Sequence, residues 1–237
     1  MTQLRTLDDP SELASFYADA PHGVRANMIF SADGAAAFDG RAGTLSCPAD
    51  QNLLRDLRAF ADVVLVGAGT ARAEGYGPAR FSEAQERLRG DRRGSAPPPI
   101  AVVSESGRLP DTLYDGPQPP ILVTSERAAR THRATPDKHS QVVLAGDDSV
   151  DLATAVRALS AEGLTRILCE GGPTVLDQLV EADAVDEICV TIAPLLAGSQ
   201  PVGDRPPSRL PLPTSLTPAH ALLCDGYMFL RYRRGTS

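Results

Sequence analysis

The sequence predicts an α/β protein in which helices cover both faces of a mixed, mostly parallel sheet. Short apolar runs alternate with helical segments through the middle of the chain, and this alternation is typical of parallel α/β sheets. The run Val-Val-Leu-Val after Asp62 is apolar throughout, as in strands that are buried on both faces. Two final apolar segments flank Asp225-Gly226, a tight-turn pair that predicts a C-terminal hairpin and so a mixed sheet.

The N-terminal third contains a helix signal and a strand signal. A short amphipathic helix is expected from Ser11, with Ser11 as its N-terminal cap. Residues 24–31 have the composition of a strand. Because Asp-Gly is a frequent hairpin pair, Asp33-Gly34 predicts a hairpin that leads into residues 35–38.

The rest of the chain alternates strands and helices. Pro48 suits the first turn of a helix whose apolar residues recur at helical spacing. The polar segment 81–99 is expected to be an exposed loop with one or two helical turns, and the proline-rich segment 201–218 a surface excursion. Strands are predicted at 100–103, 121–124, 141–144, 166–169, 187–193, 219–224 and 227–232, and helices from Glu126, at 151–161 and from Pro173.

Length and charge limit the possible functions. A chain of 237 residues with 42% hydrophobic residues can bury one sizeable core, so we expect one domain, with residues 1–20 as an extension and 21–237 as the core. A net charge of −7 argues against a nucleic-acid partner. Of the 23 basic residues only Lys138 is lysine, which leaves no candidate for a phosphate-binding P-loop or a Schiff base.

Cysteine and histidine spacing predicts no metal site. The four cysteines stand far apart without a Cys-x-x-Cys pair, whereas zinc sites need paired ligands. Cys169 and Cys189 lie in apolar runs and are expected to be reduced and buried. No apolar run reaches the roughly 18 residues of a membrane span, and the N-terminus lacks a signal-peptide pattern. A soluble, cytoplasmic protein is therefore expected.

Two predicted strand-to-helix junctions are rich in glycine. They read Val66-Gly67-Ala68-Gly69-Thr70 and Cys169-Glu170-Gly171-Gly172-Pro173-Thr174. Glycine lets backbone amides approach a ligand at a helix N-terminus, where the helix dipole favours phosphate. A tight turn alone also explains either junction, but two in one sheet favour a ligand with several phosphates. The Rossmann dinucleotide fingerprint does not match, because Arg72 stands where its third glycine belongs.

Several ordered motifs resemble the reductase domain of bacterial riboflavin biosynthesis. They comprise Asn27-Met-Ile-Phe-Ser-Ala-Asp33-Gly34, Leu57-Arg58-Ala59, the segment from Ala61 to Thr70, Glu170-Gly-Gly-Pro-Thr174, Val185-Asp-Glu187 and Ile192-Ala-Pro194. The resemblance runs from about Val24 to Gly198, and we expect it to extend to the C-terminus. It implies a dihydrofolate-reductase-like, three-layer α/β/α fold and a homodimer. It also implies NADPH as the hydride donor and a ribosylamino-pyrimidine 5′-phosphate as acceptor, whose ribosyl group is reduced to ribityl.

The resemblance also assigns roles to individual residues. Thr70 and Glu74 would contact NADPH, and the diphosphate would lie among the second glycine junction; the expected cofactor residues are Gly67, Gly69, Thr70, Glu74, Ser104, Gly171, Gly172, Pro173 and Thr174. Glu170 would face the substrate, and Arg58 would reach its phosphate with Arg80 as a second candidate. Ser104 and Ser106 would lie near the adenosine, and Arg108 or Arg127 would bind the extra phosphate of NADPH.

Asp33 and Glu170 are the expected catalytic carboxylates. Reduction of an open-chain imine by hydride needs a matching proton, and a carboxylic acid in a poorly solvated pocket can keep a raised pKa for that purpose. Asp33 is the expected donor, or holder of a donating water. The hairpin turn alone also explains this residue.

The chain departs from the family pattern on the substrate side. Asn27, a predicted substrate ligand, stands where the commoner form has lysine or another residue, and Gly40-Arg-Ala42-Gly-Thr44 replaces a Gly-x-Ser-x-Trp segment. The zinc deaminase motifs His-x-Glu and Pro-Cys-x-x-Cys are absent from this sequence. Two alternatives therefore stay open: a reductase of a pterin such as dihydrofolate, and a nucleotide-binding regulatory protein without turnover.

Overall fold

The computed structural model describes residues 3–90, 96–132, 141–198 and 210–235. Ten strands in this part of the chain form one sheet: β1 (Leu4–Thr6), β2 (Gly23–Ser31), β3 (Val63–Gly67), β4 (Ile100–Val103), β5 (Ile121–Thr124), β6 (Gln141–Leu144), β7 (Arg166–Cys169), β8 (Val185–Ala193), β9 (Leu216–Cys224) and β10 (Tyr227–Arg234). Six α-helices accompany them: α1 (Pro48–Phe60), α2 (Ala68–Ala73), α3 (Glu83–Arg89), α4 (Glu126–His132), α5 (Leu152–Ala161) and α6 (Pro173–Glu181).

The strands are ordered β1-β9-β10-β8-β2-β7-β3-β4-β5-β6 across the sheet. β10 pairs antiparallel with β8 and with β9, whereas the other pairs are parallel. The predicted mixed, mostly parallel sheet with a C-terminal hairpin is therefore confirmed. Asp225 and Gly226 both have positive φ, 50° and 79°, as the tight turn between β9 and β10 requires.

Alternating side chains of the central strands pack into two hydrophobic cores, one on each face of the sheet. Val64 and Val66 of β3 pack on one face with α1, α2 and the N-terminal helix. Val63 and Leu65 of the same strand pack on the other face with α5 and α6. Residues that alternate along a strand point to opposite faces, so an apolar run is needed wherever both faces are covered.

Two local predictions at the N-terminal side are wrong. The first helix is a 3₁₀ helix at Pro10–Phe16, and its cap is Asp9, whose carboxylate accepts the Ser11 amide at 2.8 Å. Asp33-Gly34 forms a turn, but no hairpin follows it, because β2 pairs in parallel with both β7 and β8. Between this turn and α1, the described residues form one isolated β-bridge, which joins Phe38 and Arg41. Lys138 and residues 201–209 lie outside the described residues.

Candidate functional site

The candidate site lies where β2, β7 and β3 end side by side. These strands are adjacent and parallel, so their carboxyl ends share one edge of the sheet, the edge at which open α/β sheets bind ligands. The two glycine junctions follow β3 and β7, and the Asp33 turn follows β2. Residues far apart in the chain are thereby brought together.

The two glycine junctions contact each other. The Gly67 amide donates to the Gly171 carbonyl at 3.0 Å. Gly171 has φ 93° and Gly172 φ 37°, in the region that favours glycine. A Cβ on Gly172 would lie 2.9 Å from Oγ1 of Thr70 and leave no space between the junctions. Glycine at 172 is therefore required by both the backbone conformation and this close approach.

The N-terminus of α6 opens beside this contact. Gly172 is its cap residue and Pro173 its first residue, and no side chain in the described part of the chain caps the helix. Pro173, Thr174 and Gly69 are exposed. Exposed amides at the positive end of a nine-residue helix have the chemistry that binds phosphate.

Glu170 lies between the glycine junction and α1, with a side chain that is only 2% exposed. Arg58 of α1 donates to both carboxylate oxygens, from Nε to Oε1 and from Nη2 to Oε2, each at 2.6 Å. The Tyr76 hydroxyl donates to Oε2 at 2.7 Å. The Arg58 guanidinium also lies over the Tyr76 ring, 5.4 Å from its centroid. The three side chains form one group, hereafter the Glu170 cluster.

Burial and charge shift the pKa values of two members of the Glu170 cluster, Arg58 and Tyr76. Burial alone would lower the pKa of Arg58, but the neighbouring Glu170 carboxylate outweighs it, and the pKa is raised. Burial, and then the charge of Glu170, raise the pKa of Tyr76 well above its usual value, so the phenol keeps its proton. Tyr76 is not predicted from the sequence, because its only signal is an aromatic residue between two glycines.

Asn27 belongs to the same face of the sheet as Glu170. Ala26 of β2 lies opposite Cys169 of the parallel strand β7. Asn27 and Glu170, which are each one residue further along the chain, are therefore neighbours on the same face of the sheet. The Asn27 side-chain oxygen is buried and accepts no hydrogen bond from the described residues. A buried acceptor without a donor costs free energy, and a ligand N–H or O–H would supply the missing donor.

Asp33 differs from the expected proton donor. It is exposed, and its carboxylate accepts from the Ser31 hydroxyl at 2.5 Å and from the amides of Ala197 and Gly198 at 3.0 and 2.8 Å. The Ser31 bond and then the two amides lower the pKa of Asp33 to about 2. The expectation of a raised pKa is wrong, because hydrogen bonds to the charged form outweigh a negligible desolvation.

Glu74 also makes a contact that its predicted role did not include. Its Oε1 accepts the backbone amide of Ala42 at 2.6 Å. Ala42 belongs to the segment in which this chain departs from the family pattern, and the exposed Thr44 hydroxyl of that segment bonds back to the Arg41 carbonyl at 2.8 Å. Glu74 therefore fixes the segment that replaces Gly-x-Ser-x-Trp.

The predicted adenosine and 2′-phosphate residues lie further along the sheet. Ser104 is 2% exposed, and its hydroxyl bonds within its own turn, to the Arg108 carbonyl at 3.1 Å and the Ser106 hydroxyl at 3.2 Å. Arg127 donates to the Asp148 carbonyl at 2.9 Å. Arg80 and Arg108 are exposed. The Ser104 hydroxyl and the Arg127 guanidinium are therefore both bonded to other groups of the protein.

Cysteine burial agrees with expectation. Cys169 and Cys189 are buried and free, and burial raises the pKa of each thiol to about 12. Within the described ranges, no group of His, Cys, Asp and Glu side chains is arranged to hold a metal ion. No helix in the same ranges is long and apolar enough to span a membrane.

Comparisons with known proteins agree with this architecture. The chain is 28% identical over 214 residues to the 2,5-diamino-6-ribosylamino-4(3H)-pyrimidinone 5′-phosphate reductase of Archaeoglobus fulgidus, covering 88% of each chain. It resembles the crystal structure of a pyrimidine reductase-like protein from Corynebacterium diphtheriae, with a TM-score of 0.78, 25% identity and coverage of 96% of this chain and 99% of that one.

A third comparison concerns the fold alone. A deaminase/reductase of Thermotoga maritima, named for diaminohydroxyphosphoribosylaminopyrimidine and 5-amino-6-(5-phosphoribosylamino)uracil, has a TM-score of 0.68 at 18% identity. The match covers 94% of this chain and 60% of that one. The expected dihydrofolate-reductase-like fold is thereby confirmed. The model of the RibD C-terminal domain matches residues 22–225, and the protein therefore belongs to the RibD C-terminal domain family.

Proposed function

We propose that this protein is an NADPH-dependent reductase that converts the ribosyl group of a ribosylamino-pyrimidine 5′-phosphate into a ribityl group. One observation carries the proposal: the paired glycine junctions open beside the Glu170 cluster at a single edge of the sheet. A site for a phosphate-bearing cofactor thus adjoins a group of fixed polar side chains. Relatives that bear reductase names support this assignment.

The residues around the glycine junctions fit a dinucleotide diphosphate. A Cβ at Gly172 would fill the gap beside Thr70, and no side chain of the described residues caps the N-terminus of α6 there. Gly171, Gly172, Pro173 and Thr174 would hold the diphosphate, and Gly67, Gly69 and Thr70 of the first junction would lie beside them. The bound cofactor supplies the hydride. Arg108 and Arg127, both exposed, are the candidates for the extra phosphate of NADPH.

The Glu170 cluster would prepare the substrate side. Glu170 fixes the Arg58 guanidinium through two parallel hydrogen bonds, and a fixed cationic fork recognises phosphate with little loss of side-chain freedom. The Arg58 side chain remains 18% exposed, so its edge can meet a ligand. Asn27 would accept a substrate N–H or O–H, and the exposed Arg80 is the second candidate for the substrate phosphate.

The proton that accompanies the hydride does not come from the Asp33 carboxyl in this proposal. A carboxyl with a pKa of about 2 is ionised at neutral pH. Ionised and exposed, Asp33 can accept hydrogen bonds from sugar hydroxyls or hold a water that delivers the proton. Glu170 acts as the fixed partner of Arg58 and Tyr76.

We also propose a homodimer that forms through the sheet face of β8 and β10. Burial alternates along β8. Ile188, Val190 and Ile192 are only half-buried, whereas the residues between them are fully buried. On β10, Leu230 lies opposite Val190 and Met228 is 37% exposed. A contiguous apolar strip of this kind is typical of an interaction surface. Light scattering should give the mass of two 25.0 kDa chains, and Val190→Arg should give one.

The reaction is tested by following NADPH absorbance with three acceptors. Purified protein is given the diamino ribosylamino-pyrimidinone phosphate, its deaminated counterpart or dihydrofolate. Oxidation with either pyrimidine supports the proposal, and the faster one identifies the substrate. Turnover with dihydrofolate alone would assign a pterin reductase. Tight NADPH binding without turnover of any acceptor would assign a regulatory nucleotide-binding protein.

A further inference from the structure

A second pocket lies at the opposite edge of the sheet from the candidate site. It lies between the last turn of α1 and the first residues of β7. Arg25 and Arg166 line it together with apolar side chains that include Leu57, Phe60 and Leu168. Arg166 is the first residue of β7 and pairs with the first residue of β2, so the pocket is remote from the glycine junctions.

Each of the two arginines has one buried N–H group without an acceptor. The side chain of Arg25 is 4% exposed; its Nε donates to Glu187 at 2.5 Å and its Nη1 to the Tyr17 carbonyl at 2.8 Å. Its Nη2 is buried and has no partner among the described residues. Nη2 of Arg166 contacts the His22 ring at 3.1 Å, while its Nε is likewise buried and unpartnered there.

Arg25 belongs to a network of charged side chains. Arg25, Arg231 and Arg233 share Glu187, and Arg231 and Arg233 also share Asp19. Arg233 and Asp19 reach solvent, with side chains that are 45% and 65% exposed. Arg25, Arg231 and Glu187 have side chains that are at most 4% exposed, and a buried cationic N–H group without an acceptor is expensive where water is excluded.

Arg166 adds a further positive charge to the pocket wall. The only hydrogen bond described for its guanidinium is the one to the His22 ring. The buried Asp62 carboxylate lies beside Arg166 and offsets part of its charge, and its Oδ2 accepts the backbone amides of Thr165 and Arg166 at 3.0 and 2.9 Å. The pocket thus offers unpaired cationic donors in surroundings whose other side chains are apolar.

We propose that this pocket binds a small monovalent anion, chloride in ordinary buffers, between Nη2 of Arg25 and Nε of Arg166. The pocket has room for about one water-sized occupant. A water could accept from both donors, but an anion between two guanidinium groups also gains the attraction between opposite charges. Its role is structural: it holds Ala20 and Pro21, at the end of the N-terminal segment, against the sheet.

Chloride-dependent stability tests the proposal on the full chain. Thermal unfolding is compared in sodium chloride and in sodium gluconate at equal ionic strength, because gluconate is larger than the space. Chloride at about tenfold its Kd should raise Tm by about 2–5 °C, and above Kd the rise should follow the logarithm of the chloride concentration. Arg166→Gln should remove the difference between the salts. Arg157→Gln, which changes an exposed arginine on α5, should retain it.

Bromide provides a readout that does not depend on a folded variant. Crystals of the wild-type protein grown in bromide should show an anomalous peak between the Arg25 and Arg166 guanidinium groups. Equal melting curves in chloride and gluconate, or a pocket that contains only water in bromide, would overturn the proposal. Neither result depends on whether the enzyme reduces a pyrimidine, so this inference and the proposed function fail separately.

Discussion

The ends of β7 and β2 both carry a carboxylate predicted to be catalytic, but the two carboxylates have opposite environments. Glu170, after β7, is 2% exposed and is bound by the charged Arg58 and the Tyr76 hydroxyl. Asp33, after β2, is exposed and is bound by Ser31 and by two backbone amides. A buried carboxylate organises its neighbours through charge, whereas an exposed one with a lowered pKa mainly ties a turn to a loop.

This contrast changes the chemical roles of both residues. Removing the charge of Glu170 would leave the largely buried Arg58 without its counter-charge, and this would strongly lower the free energy of unfolding. Removing the charge of Asp33 leaves neutral backbone amides that water can reach. The β7 end should therefore be sensitive to substitution and the β2 end tolerant. The predictions that follow test this difference in order of expected effect.

The largest effect is expected for Glu170→Gln. It should lower the free energy of unfolding by about 3 kcal/mol, because Arg58 loses its counter-charge in a poorly solvated site. Urea denaturation without ligand provides the measurement. Adding Arg58→Met to Glu170→Gln should restore part of the loss, since no unpaired charge then remains. A single variant as stable as the wild type would remove the contrast between the two strand ends.

Gly172→Val tests whether the β7 end tolerates a side chain where the cofactor is proposed to bind. The new side chain would meet Thr70 and would have to adopt φ near 37°. The NADPH Kd should therefore rise about 100-fold, which is a loss of about 2.8 kcal/mol of binding free energy. Fluorescence titration measures it, and a thermal melt checks the fold. Gly235→Ala is the contrasting variant: it lies outside the candidate site, its Cβ meets nothing within 4 Å, and affinity should change little. Normal binding by Gly172→Val would make the second junction purely structural.

Tyr76→Phe should have an intermediate effect at the same site. The substitution keeps the ring beside Arg58 and removes one of the three hydrogen bonds to Glu170. A hydrogen bond to a charged group contributes about 1.5–3 kcal/mol, and the loss should appear in urea denaturation at neutral pH. Tyr232→Phe, on β10, provides a matched tyrosine control. No change in Tyr76→Phe would mean that Arg58 alone satisfies Glu170.

Asp33→Asn should have the smallest effect on stability, with a specific pH dependence. The pKa of Asp33 falls from 3.8 to about 2 on folding, so its ionised form stabilises the fold above pH 3.8 and this contribution disappears as the pH falls through about 2. The Tm difference between wild type and variant should therefore be constant near neutrality and vanish in strong acid.

The same variant tests the correction to the proton-donor role. An ionised Asp33 is not a general acid, so single-turnover hydride transfer should fall by less than the roughly 100-fold that typically follows the loss of one. Stopped-flow NADPH oxidation provides the rate. A larger fall, together with loss of a pH break between about pH 5 and 8, would restore the general-acid assignment and end the contrast with Glu170.

Local pattern was sufficient for much of the fold and for the glycine part of the site. Helical spacing after Pro48 predicted α1, and the apolar run after Asp62 predicted β3, because residues i and i+2 or i and i+4 share a face whatever the rest of the chain does. Glycine at 171 and 172 signalled an unusual backbone, and both have positive φ. These features depend on steric limits and periodicity within a few residues.

Tertiary structure alone decided which polar groups meet. Glu170 reaches Arg58 across 112 residues of sequence, and Asp33 reaches Ala197 across 164. The hairpin prediction at Asp33-Gly34 failed for the same reason, because β2 is paired on both sides by distant strands. Burial and hydrogen-bond partners determine the charge state of a carboxyl. The sequence by itself therefore determined the elements and the candidate residues, and the packing of distant strands decided which carboxylate is buried and which is exposed.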